Sequence, residues 1–185
     1  MTSRYDAAAA AIDLVNGEDP KGREKAYGER MTSWARRLAP GASEELLLAV
    51  RAQHARRGAI PRTDFPEGRT GYLAWREKLK RMHADIAAGI LKDAGYGEAS
   101  IAKVRSLILR KEKAPDPEGR ILEDAACLVF LETEFAAFAA KTDDAKTVDI
   151  LRKTWAKMSP AGRDAALKLE FGGREKALIG RALHP

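Results

Sequence analysis

The stretch from Arg51 to His83 holds two of the chain's three histidines, His54 and His83, and sets nine lysines and arginines against only three acids. That excess of six equals the net charge of the whole chain, +6, so the remaining residues balance to zero. Imidazoles exchange protons near neutral pH and ligate metals, and guanidinium groups hold phosphate through paired hydrogen bonds. Together these residue types point to an anionic ligand, phosphate above all. Arg56, Arg57, Arg62, Arg69 and Arg76 are the expected phosphate clamps, with Lys111 beyond them.

Five successive segments each place one polar residue on an otherwise apolar helical stripe: Tyr27, His54, His83, Lys111 and Asp124. A polar group on a buried face is costly unless it meets a partner, so the economical arrangement brings the five together in one internal pocket. Glu123, next to Asp124, is expected to line it as well. In that pocket His54, His83 and Asp124 are the candidates for proton transfer or for holding a substrate. The plainer reading of each is a satisfied core residue, and Lys111 can snorkel from a helix end.

The elements that carry these residues read as helices throughout. Alanine, leucine, glutamate, lysine and arginine dominate, and no apolar run shows the strict alternation of a half-buried strand. The fold class is therefore all-α, a single helical domain over residues 1–185. Ser3 caps a first helix to about Val15. A second runs from Glu24 to Leu38, and a third opens after Ser43 and stops near Gly58. Pro61, Pro66 and the glycines between 58 and 71 mark a functional loop. A long helix follows with Tyr72, Trp75, Leu79 and His83 on its inner stripe. Ile101 to Lys111 forms a fifth, residues 119–140 a sixth, and Asp143 and Ser159 cap two more.

One cysteine, Cys127, excludes a disulfide framework and a thiolate metal cluster, which fits a reducing cytoplasm. No apolar run approaches the ~20 residues of a membrane span. The segment KMSP at 157–160 is a helix boundary, and GYG at 95–97 is a helix stop with no strand before it.

The order YGERM, LAVRAQHA, HADIAAGIL, ILRK and LEDAACL resembles the HD-domain superfamily of metal-dependent phosphohydrolases over roughly residues 24–132, with helices 143–183 packing on that core. The resemblance implies an all-helical bundle in which His54 and Asp124 hold a divalent metal and His83 serves a second metal or proton transfer. Two positions depart from it: Tyr27 stands where a histidine is expected, and Ala55 where an aspartate is, which puts the metal in question. The chain also resembles, over almost its whole length, a family labelled only as a domain of unknown function (number forty-two hundred and two), through YGERM, LEDAACLVFLE and KTWAKMS.

The reading that follows is a cytoplasmic pocket that binds, and in its catalytic version hydrolyses, a phosphorylated small molecule such as a nucleotide. The alternative is a non-catalytic module that binds RNA or a nucleotide through residues 51–81. Inward-facing Asp124 and His83 favour the first, because a basic surface alone has no use for them. No membrane partner is expected.

Overall fold

The computed structural model describes residues 3–110 and 116–183, and among these every regular element is helical. Ser3, Ser43, Asp143 and Ser159 each accept a backbone N–H in the first turn of the helix they open. The helices they cap are α1 (Arg4–Asn16), α3 (Glu44–Arg51), α8 (Asp144–Lys157) and α9 (Pro160–Ala166). The others are α2 (Arg23–Leu38), α4 (Gly68–Asp93), α5 (Glu98–Leu109), α6 (Pro117–Val129), α7 (Phe135–Ala140) and α10 (Gly173–Leu183). Lys111, expected at the end of α5, lies outside the described residues.

Short α3 is packed by α1, α2, α5 and α6, and Leu46, Leu48, Ala49 and Val50 are fully buried there. With Met31, Leu91, Ile108, Leu122 and Leu128 they form one core, each large side chain stabilising the fold by about 1.5–3 kcal/mol.

Two departures from the sequence expectation shape the site. First, α3 ends at Arg51, seven residues short of Gly58. The Asn16 amide donates to Arg51 O at 3.1 Å, the carbonyl that the Ala55 N–H would need in a continued helix, and that N–H bonds Ala52 O instead. His54 therefore sits in a run of turns, followed by short 3₁₀ turns at Arg57–Ala59 and Arg62–Asp64. Second, the helix expected over 119–140 is interrupted by a π-helical turn, Phe130–Glu134, between α6 and α7. Turns of this kind recur at functional sites, because the extra residue re-aims the side chains around it.

Candidate functional site

The site begins where α2 meets the end of α3. Gly28 permits the approach, since a Cβ there would lie 2.8 Å from Arg51 O. That closeness carries the turn after α3 onto the face of α2, and His54 stacks flat on Tyr27, centroids 3.7 Å apart and planes 9° from parallel. Glu24, one turn earlier on α2 and buried, puts Oε2 3.4 Å from His54 Nδ1. From α4, His83 reaches the same turn and donates from Nδ1 to Ala55 O at 2.6 Å, its ring centroid 6.3 Å from that of His54. Trp75, also on α4, donates to Ile60 O at 2.9 Å and pins the rest of the loop.

Burial holds both histidines below the usual imidazole range. His54 is lowered by desolvation against the pull of Glu24, with Arg57 and Arg76 adding to the lowering. His83 falls to about 4, because burial, His54 and Arg57 outweigh its bond to Ala55 O. Burial pushes the Tyr27 phenol up to about 12, against the attraction of Arg110, Arg57 and Arg76. At neutral pH the rings of Tyr27, His54 and His83 are thus uncharged.

Tyr27, His54 and His83 line a cavity of about 330 Å³ whose walls carry Arg57, Arg76, Lys80, Arg110 and Lys157 against two acids, Glu123 and Glu134. It opens into a mouth of about 540 Å³ shared by Arg76, Lys80, Arg110, Glu123 and Lys157. A side chamber of about 680 Å³, which Glu24 and Arg62 line, shares Tyr27, His54 and Arg57 with it. Arg110 ends α5 at a φ of 54° and pairs with Glu123, which Lys157 also approaches at 3.9 Å. Arg57 lies over the Trp75 ring and Arg76 over Tyr72. Lys80 is lowered from the usual ammonium range by burial, with Arg110 and Arg76 adding to it against Glu77. This crowding of like charge marks the wall as one that an anion would relieve. The π turn contributes Phe130 and Glu134 to the same wall.

The expected convergence holds for Tyr27, His54 and His83, and Glu123 joins them. It fails for Asp124. Its carboxylate, 2% exposed, turns toward α9 and accepts from Ser159 N at 2.8 Å and Ser159 Oγ at 2.5 Å. The Gly162 Cα packs directly against it, where a Cβ would lie 2.4 Å from Oδ1. A metal shared by His54 and Asp124 does not fit this arrangement: both Asp124 oxygens already hold donors, and Tyr27 and Ala55 supply no ligand in their place. Among the described residues no three histidine, cysteine or carboxylate side chains gather in a metal-holding group.

Of the expected phosphate clamps, Arg57 and Arg76 line the cavity. Arg56 is held by both oxygens of Glu18 at 2.7 Å, and Arg62 donates to the carbonyls of Phe65, Pro66 and Gly68, which makes it a loop brace. Arg69 is exposed in the first turn of α4, away from the cavity lining. Tyr72, expected on the inner stripe, is 43% exposed at the cavity rim, while Trp75 is buried. Glu24, Lys80, Arg110, Lys157 and Glu134 were missed. Each is an ordinary surface residue by spacing, and it is the packing of separate helices that brings Lys80, Arg110, Lys157 and Glu134 to the cavity and Glu24 to its side chamber.

A family model, Domain of unknown function (DUF4202), matches residues 6–179. The chain belongs to that family. Neither a curated protein nor a solved structure matches it. Membership of DUF4202 accords with the likeness carried by YGERM and LEDAACLVFLE and assigns no activity. No helix of the described DUF4202 chain is long and apolar enough to cross a membrane.

Proposed function

We propose that the cavity between α2, α4 and the π turn binds a phosphorylated small molecule, such as a nucleotide. The observation that carries this reading is the wall of Arg57, Arg76, Lys80, Arg110 and Lys157 facing two acids around an uncharged imidazole floor. Cations in a walled cleft attract a polyanion more strongly than the same charges spread on a surface. Kinship with the HD phosphohydrolases rests on His54 and His83 in one cavity; the position of Asp124 speaks against the metal-held chemistry of that superfamily. Binding is therefore the core of the proposal, and any ester hydrolysis falls to the imidazoles as bases.

RNA binding through residues 51–81 has less support. Arg51 is paired with Asp13, Arg56 with Glu18, Arg81 with Glu77, and Arg62 with loop carbonyls, so the stretch does not present its full charge to a partner. A thermal-shift screen of nucleotides in chelator tests the proposal. A ligand at 100 times its dissociation constant adds about 2.7 kcal/mol of stability, a clear rise in melting temperature. No shift with any nucleotide, pyrophosphate or sugar phosphate at millimolar concentration overturns it.

A further inference from the structure

We propose that His54 and His83 together read hydroxyl groups on the ligand, which makes the occupant a phosphorylated sugar or ribonucleotide rather than a bare polyphosphate. This rests on the phosphate-binding reading and names the part of the ligand that it leaves open.

Each ring has one nitrogen fixed by the protein. A carbonyl only accepts, so His83 Nδ1, 2.6 Å from Ala55 O, carries the proton. The Glu24 carboxylate, 3.4 Å from His54 Nδ1, selects the same tautomer there. In both rings Nε2 is then a lone-pair acceptor, and among the described residues neither Nε2 has a protein donor. Both rings line the central cavity, whereas Glu24 lines only the side chamber. Nε2, across the ring from Nδ1, is accordingly the nitrogen that His54 turns to the cavity.

Two acceptors side by side dictate what can lie between them. Phosphate oxygens are acceptors as well, so a phosphate placed there would set lone pair against lone pair, and it goes instead to the cationic wall. A cationic amine could donate, but Arg57 and Arg76 act on both the cavity and His54 and oppose it. What remains is a neutral donor. The rings, 6.3 Å apart and tilted by 40°, suit two adjacent hydroxyls such as a ribose presents.

Titration calorimetry in chelator, with ribose 5-phosphate, tetrahydrofurfuryl phosphate and pyrophosphate as probes, tests this. The first two share ring and phosphate and differ in the hydroxyls. Wild type is expected to bind ribose 5-phosphate roughly ten-fold or more tighter, the worth of two ordinary hydrogen bonds. The double variant Glu24→Gln with His54→Phe, which keeps an aromatic ring on Tyr27 and leaves no buried charge unpaired, is expected to lose most of that preference and retain its affinity for pyrophosphate. Equal binding of the two esters by wild type overturns the inference while the phosphate reading stands, and needs no variant. Preference that appears only when Mn²⁺ replaces the chelator assigns the two Nε2 atoms to a metal and also overturns it. Failure of all three probes to bind removes the phosphate reading itself.

Discussion

The imidazole of His54 lies flat against the phenol of Tyr27, centroids 3.7 Å apart. The HD resemblance expects a metal-binding histidine at position 27; the tyrosine there acts as a platform that fixes the ring plane of His54. With Glu24 holding Nδ1, the imidazole has its orientation and tautomer set before any ligand arrives. Such preorganisation lowers the cost of binding, because the ordering of the side chain is already complete.

Asp124 has a structural task in this arrangement. Asp124→Ala leaves the half-buried Ser159 N–H and hydroxyl without their acceptor, and stability should fall by about 1–3 kcal/mol. Phosphate affinity should be unchanged, because the carboxylate is not part of the cavity. Denaturant midpoints with and without pyrophosphate check both halves; a variant of native stability that no longer binds would return Asp124 to the site.

The depressed value of His83 makes stability depend on pH in the acid range. The unfolded chain takes up a proton on this residue near the ordinary 6.5, while the folded chain does so only at about 4. The contribution is present above pH 6.5 and lost as pH falls toward 4, about 3 kcal/mol in all. In an NMR titration the His83 ring protons should hold their neutral shifts to pH 5. Titration near 6.5 in the folded protein would contradict the buried, Ala55-bound ring.

Much of this was legible in the chain. Ser3, Ser43, Asp143 and Ser159 announce their helices by local chemistry alone, and Tyr27, His54 and His83 announce a polar cluster by interrupting apolar stripes. Asp124 interrupts its stripe in the same way, yet its partner is a cap on α9, and spacing along one helix cannot say which neighbour a buried carboxylate meets. The end of α3 was hidden because it is set by Asn16, a residue 35 positions away in sequence. The cations missed lie at helix ends or on outward spacings, and meet only because α4, the end of α5, α6 and α8 come together around one mouth.

Two glycines of α4 should respond oppositely to alanine. At Gly71 a Cβ would lie 1.9 Å from Pro66 O, backbone that cannot swing aside, whereas at Gly89 nothing lies within 4 Å. Gly71→Ala should cost about 1–3 kcal/mol and weaken ligand binding, because the first turns of α4 carry Tyr72 and Arg76. Gly89→Ala should add about 0.5–1 kcal/mol by helix propensity. Melting curves of both decide it; a neutral Gly71→Ala would mean that the loop packs differently.

The central claim is that the cationic cavity receives phosphate, and Arg76 tests it most directly, being exposed at the rim and shared by cavity and mouth. Calorimetric titration of pyrophosphate in low salt and chelator should give one site per chain in wild type. Affinity should fall as salt rises, and Arg76→Glu should fold normally and bind at least roughly ten-fold more weakly, a loss of about 1.4 kcal/mol. Absence of binding by the wild type, or equal binding by Arg76→Glu, would contradict the account.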